Sequence, residues 1–250
     1  MKCVSGLAAA LLATMVAGLA RADPRLDEKV YDPYVQNGVA ELEVRAGRVN
    51  GGPLDGTATT MVEAEYGVSD RVSLALVGVV SRGPGEASKL SGVGAEAVVY
   101  VGQIPGVGVD VGVYGEYKIG LNGATDVFEG KLLLAKTKGR FQGLANLIVE
   151  EPVGAPRGEG YAAYGYAASA TWRTVGALRI GVEAVGDFGD DHRLGGRQGA
   201  YVGPQVKWEG RIGRSPVELG IDAGWLAAVG ESRAEARSQV RIALELERRF

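Results

Sequence analysis

The 250 residues contain one cysteine, Cys3. No internal disulfide is therefore available, and the fold has to rest on burial and backbone pairing. Histidine is equally scarce. His192 is alone, in the polar stretch GDDHRLGG, where it reads as a loop residue. Imidazole-dependent catalysis needs a nucleophile within hydrogen-bond reach of its base. No G-x-S-x-G elbow occurs, and Ser81 and Ser88 read as loop serines, so the chain is not expected to be an enzyme. No basic tract stands out: 30 acidic residues face 27 basic ones, for a net charge of -3, which argues against nucleic acid as a partner. The 40 glycines follow no collagen-like period, and the valine and aromatic content argues against disorder.

The one marked apolar run, from Leu7 to Leu19, is too short and wrongly flanked for a spanning helix. With Lys2 before it and Ala20-Arg21-Ala22 after it, residues 1–22 read as a cleaved secretory signal peptide. Cys3 precedes the run, so no lipoprotein signal is present. Cleavage would remove Lys2 and Arg21 and no acid, moving the net charge from -3 to -5. The mature chain is then an exported protein without a disulfide.

What the sequence has in quantity is alternation. About twelve segments place apolar and polar residues in turn, near 38–48, 58–67, 71–81, 91–102, 107–119, 127–136, 140–150, 160–172, 177–188, 199–209, 216–228 and 237–250. Connections after every second segment are tight (VSD, QIPG, TKG, RTVG, GRIGRS); those between are longer and more polar, as in SRGPGEASKL or GDDHRLGGR. Short and long loops in turn predict an all-β, up-and-down antiparallel transmembrane barrel over 38–250, with the short turns periplasmic.

Alternation alone does not separate a lipid-facing barrel from a soluble one. Aromatic placement does. On one face Tyr66, Phe141, Trp172, Trp208 and Phe250 fall beside short turns, and Phe128, Tyr164, Phe188 and Trp225 fall toward the long loops: two belts, as at lipid headgroups. Between them that face is apolar, with residues such as Leu42, Val62, Leu132 and Ile180. The other face predicts a polar, wet lumen lined by Glu41, Glu43, Arg45, Glu63, Glu65, Glu96, Asp110, Glu116, Lys118, Glu129, Lys131, Arg179, Glu183, Lys207, Glu218, Asp222, Arg241 and Glu245. Any one of these acids fits a wall-propping ion pair better than a specific solute contact.

The last strand carries Ile242, Leu244, Leu246 and the terminal Phe250 on the lipid side. This pattern resembles the C-terminal signal read by barrel-assembly machinery, and a ring at the boundary also anchors the strand end. Arg248 shares that side, close enough to the interface to snorkel. The stretches YDPYVQNGVAELEVRAGR, EAEYGVSDRVSLAL, VDVGVYGEYKIG, FEGKLLLAKTKGRFQGLANLIVEE, GVEAVGDFG and ALELERRF resemble an uncharacterised family of Gram-negative outer-membrane β-barrel proteins. Its mark is a Tyr-x-Pro start, here Tyr31-Asp32-Pro33, before a glutamate-lined barrel. The resemblance spans nearly all the mature chain and implies fold and outer-membrane location, with outer-membrane lipid and lipopolysaccharide as surroundings. It brings no catalytic residues, and no cofactor is expected. The chain departs from the family in being richer in glycine and alanine.

Asp190, Asp191 and His192 could hold a divalent cation only weakly, since no further ligands accompany them; a solvated loop is the plainer reading. The glycines between Gly92 and Val113 precede no helix and offer no phosphate cradle. Residues 23–37, with two prolines and mixed charge, are expected as a periplasmic lead-in or partial plug, Tyr31 and Tyr34 packing at the barrel mouth. Two functions compete. One is a narrow passive channel for small, preferably cationic solutes. The other is a non-conducting structural or surface-contact barrel whose lumen is a salt-bridge network.

Overall fold

The computed structural model describes residues 25–154, 161–195, 199–211, 213 and 215–250; the expected signal peptide lies outside them. Twelve strands follow in order: β1 (Val39–Asn50), β2 (Ala58–Gly67), β3 (Val72–Arg82), β4 (Lys89–Ile104), β5 (Val109–Gly120), β6 (Asp126–Lys138), β7 (Phe141–Val153), β8 (Ala163–Arg173), β9 (Leu178–Asp190), β10 (Gly199–Arg211), β11 (Val217–Gly230) and β12 (Ser238–Arg249). Each end lies within three residues of the sequence expectation. Every strand pairs antiparallel with its chain neighbours, and β12 pairs with β1 over twelve rungs from Val39↔Arg249 to Asn50↔Ser238. The sheet has no free edge. This is the up-and-down transmembrane β-barrel that alternating loops and period-two patterning specify.

The outer face is apolar along the strand middles, with Leu42, Val62, Leu76, Val113, Leu132, Leu147, Ile180, Val182, Ile221, Ile242 and Leu244 exposed. Aromatic side chains bracket them. Phe141 and Trp172 are direct partners across β7 and β8 at the short-turn end, and Tyr117 joins Phe128 across β5 and β6 at the other. Tyr66, Phe188 and Trp225 are exposed and Tyr164 and Trp208 half-exposed on the same face. At the seam Ile242, Leu244, Leu246 and Phe250 all face outward, and Phe250 N–H donates to Gly38 O at 2.9 Å. The Arg248 guanidinium lies over the Phe250 ring, 4.9 Å from its centroid, so the one charge on that stretch is absorbed by the terminal aromatic.

A charge placed in this band has no water to meet. Leu76, 69% exposed and midway along β3, is the test position. Leu76→Arg is expected to lower the unfolding free energy of the liposome-refolded protein by about 2–4 kcal/mol. A denaturant titration that finds parent and variant superimposed would place this band outside hydrocarbon.

The inner face departs from expectation in one respect. The carboxylates do point inward, but the wall from β6 to β11 also presents Leu133, Ala135, Leu144, Ile148, Ala167, Val185, Tyr201 and Leu226, all buried. The lumen is therefore mixed: an apolar stretch of wall lies among charged and polar side chains carried on both halves of the ring. An apolar lumen wall cannot face empty water at this scale without cost. Something covers it.

Candidate functional site

The cover is the chain's own N-terminal segment. Residues 25–37 run inside the barrel, and none of them belongs to a strand. Gln36 and Asn37 lie at the short-turn end, where a side chain added at Gly67 would strike Gln36 O, and Gly38 N–H donates to Gly67 O at 2.8 Å. From there the chain climbs toward the long-loop end, where Arg25 meets Glu150 of β7 and Asp187 of β9. Two wall glycines make the path possible. A Cβ at Gly112 would stand 2.7 Å from the Pro33 Cβ, and one at Gly47 would stand 2.5 Å from Leu26 O.

Leu26 and Val30 turn to the apolar wall and join the cluster that holds Leu144, Ile148, Ala167, Val185 and Leu226. The polar side chains pair around the whole ring, Arg25 and Glu28 with β6, β7 and β9 and Lys29 with β1 and β12. At the top, Arg25 Nε reaches Asp187 Oδ1 at 3.0 Å and Arg25 Nη1 reaches Glu150 Oε1 at 3.2 Å. Below it Glu28 Oε1 accepts from Lys131 Nζ at 2.6 Å, and that ammonium also meets Glu129 Oε1 at 3.0 Å. The same ammonium sits 4.6 Å from both the Tyr31 and Tyr114 ring centroids. Lys29 Nζ lies among three wall carboxylates: Glu43 Oε2 at 2.5 Å, Glu41 Oε1 at 3.4 Å and Glu245 Oε1 at 3.4 Å.

At the centre, Arg45 Nη1 donates to Glu43 Oε1 at 2.6 Å and to Glu63 Oε2 at 2.8 Å. Its Nη2 donates to Tyr31 Oη at 3.0 Å and its Nε to Asp27 O at 2.8 Å. Glu43 is 0% exposed and Glu63 1%. Charges so deep in the barrel persist because a forked guanidinium and a luminal lysine neutralise them. Asn146 of β7 completes the hold: its Oδ1 accepts from Tyr31 N–H and its Nδ2 donates to Tyr31 O, both at 2.8 Å. One amide side chain thus forms the pair of bonds a neighbouring strand would form, fixing the segment's backbone at mid-lumen.

The expected lumen-lining residues can now be placed. Glu41, Glu43, Arg45, Glu63, Glu65, Glu96, Glu116, Lys118, Glu129, Lys131, Glu183, Arg241 and Glu245 line the interior, buried or half-buried. Glu183 Oε1 pairs with Arg241 Nη1 at 2.5 Å; Lys207 pairs with Asp222 at 2.9 Å, and Gln205 Nε2 donates to Glu183 and Asp222. Arg179 is buried against Thr171, and Asp110 takes the hydroxyls of Tyr34 and Tyr100 at 2.9 Å each near the short-turn mouth. Glu218 is different: it pairs with Arg211 at the exposed rim, outside the lumen proper. Tyr34 does lie at the mouth, whereas Tyr31 is deep inside, pulled there by Asn146 and Arg45. The loop around His192 brings no metal cluster among the described residues; Asp190 Oδ1 accepts two backbone N–H groups, and His192 stacks edge-on against Tyr161.

Arg25, Glu28, Lys29, Asn146 and Gln205 are among the luminal residues the lumen-lining expectation did not include. Asn146 carried a signal, being the one polar side chain in the run LANLIV. Above the segment an open cavity of about 410 Å³ reaches the long-loop mouth, with Arg25, Asp27, Glu28 and Arg45 at its floor and Ser81, Thr125 and Tyr161 near its entrance.

Among solved structures, an outer membrane channel from Pseudomonas putida F1 superposes with a TM-score of 0.55, covering 91% of this chain and 99% of that one at 10% identity. The chain has the fold of an outer-membrane barrel. The Acinetobacter baumannii outer membrane protein Omp33 (TM-score 0.41, 13% identity, 88% of this chain and 100% of that one) and LpxR from Salmonella typhimurium (0.43, 10%, 84% and 100%) also align. No family model matches the sequence, and no curated protein matches it.

Proposed function

We propose that the protein is an outer-membrane barrel serving as a narrow passive channel for small solutes, preferably cations, with residues 25–37 setting its constriction. The observation that carries the reading is the open cavity of about 410 Å³, which leads from the long-loop mouth onto a carboxylate-rich interior. Even with Arg25 and Lys29 added to the wall's bases, acids outnumber bases inside. Such an interior concentrates cations and repels anions. In this reading the export signal at residues 1–22 delivers the chain, the C-terminal strand is recognised by the assembly machinery, and the long loops meet lipopolysaccharide. Catalysis has no part in it.

A second reading is favoured by the closed ion-pair ladder along the segment: a non-conducting barrel that works through its surface. Planar-bilayer recordings of the refolded full chain separate the two. A small conductance with a cation-selective reversal potential under a KCl gradient is expected. Silence of the full chain would count for the second reading and against the first, and anion selectivity would count against the cation preference.

A further inference from the structure

Two groups of three glutamates stand side by side on the lumen wall. Glu41, Glu43 and Glu245 bring one oxygen each within 4.8 Å of one another, as do Glu63, Glu65 and Glu96. The register of β1 on β2 makes them neighbours, Glu41 opposite Glu65 and Glu43 opposite Glu63. Ala75 lies between Glu65 and Glu96 in one row, and its small side chain lets the carboxylates converge. The first group already shows what such an arrangement takes: the Lys29 ammonium sits within 3.4 Å of all three residues.

The second group is supplied differently. Arg45 and Tyr31 reach only Glu63 Oε2, and Tyr114 reaches Glu96 Oε2 at 2.8 Å. Glu63 Oε1 and Glu96 Oε1 have no hydrogen-bond partner, although the two residues are only 1% and 4% exposed. Among the described residues no lysine or arginine pairs with Glu65 or Glu96. Of the three carboxylates only Glu63 meets a cation, the Arg45 guanidinium that it shares with Glu43. Buried carboxylate oxygens left this way call for a cation or a proton.

We propose that Glu63, Glu65 and Glu96 form a binding site for a calcium ion. An all-oxygen donor set selects a hard cation. Ca²⁺ takes carboxylates in flexible, irregular geometry, whereas Mg²⁺ demands a near-ideal octahedron and keeps several of its waters. Glu65, half-buried, is the carboxylate through which the ion enters, and lumen water completes its coordination. The site does not depend on whether the barrel conducts. A bound divalent ion would match, on β2 to β4, the neutralisation that Lys29 provides on β1 and β12.

The test uses the refolded full chain in detergent, with heat-shifted gel migration confirming that each variant is folded. Terbium(III) is the probe, because the Tyr31 and Tyr114 hydroxyls touch the proposed ligands and can sensitise its luminescence. A saturable signal displaced by CaCl₂ is expected, and Glu65→Gln and Glu96→Gln should each weaken Ca²⁺ binding by roughly tenfold or more. Asp190→Asn, at the long-loop end of β9 and far from these glutamates, should leave it unchanged. Absence of a saturable signal, or Gln variants that bind Ca²⁺ as the parent does, would overturn the site. So would a parent that binds no Ca²⁺ while Glu96→Gln folds more stably, since the two free oxygens would then share a proton.

Discussion

Removing residues 25–34 raises the single-channel conductance by about an order of magnitude or more. The expectation follows from what those residues occupy: a twelve-strand ring is wider than its own side chains fill, and the threaded backbone takes much of the remaining cross-section. The twelve rungs between β1 and β12 close the ring without the segment, and Gly38 with its bonds to Gly67 and Phe250 remains. The deletion withdraws Arg25 and Lys29 but also Asp27, Glu28 and Asp32, so the acidic excess of the wall remains and cation preference is expected to persist as the current grows. Asn146→Leu is the milder version. It deletes both bonds to the Tyr31 backbone while the ion pairs persist, and a conductance between parent and deletion is expected. A deletion variant that is folded, by its heat-shifted migration on gels, yet conducts no better than the parent would refute the assigned constriction.

Arg45→Met is expected to cost about 3–5 kcal/mol of stability, more than any change on the barrel exterior considered above. The reason is asymmetric. The arginine alone bridges Glu43, Glu63, Tyr31 and the Asp27 carbonyl, and Met offers comparable bulk with none of the donors. Its loss leaves one carboxylate dependent on Lys29 and the other on a 3.4 Å contact from Tyr31. Arg45→Lys keeps the charge but not the fork, and should recover only part of the loss. Denaturant unfolding followed by tryptophan fluorescence measures both, Trp172, Trp208 and Trp225 all lying on the lipid face. Equal midpoints for parent and Arg45→Met would mean that these carboxylates are hydrated rather than buried.

The barrel was legible because a strand with lipid on one side and water on the other must alternate, and nearly every strand here does. The aromatic belts and the terminal Phe250 followed from the same parity. The apolar stretch of the lumen wall was not legible. In β6 the run Leu132-Leu133-Leu134-Ala135 is apolar on both faces, and in β7 Leu147-Ile148-Val149 is too, so parity there has nothing to contrast. The wall charges could be listed, but their partners could not. Arg25, Glu28 and Lys29 sit in a short irregular stretch whose path depends on where Gly47, Gly112 and Asn146 leave room and bonds, which is a property of the closed ring and not of any local pattern.

The course of the luminal segment also decides how the molecule can be handled. Arg25 ends up inside the lumen toward the long-loop end, while Phe250 stays at the opposite rim, so the two ends of the described chain lie toward opposite ends of the barrel. A fluorescent domain fused after Phe250 hangs free of the ring. The same domain fused ahead of Arg25 is too wide to follow the segment inward, so the fusion is expected to leave the ring open and to conduct like the 25–34 deletion.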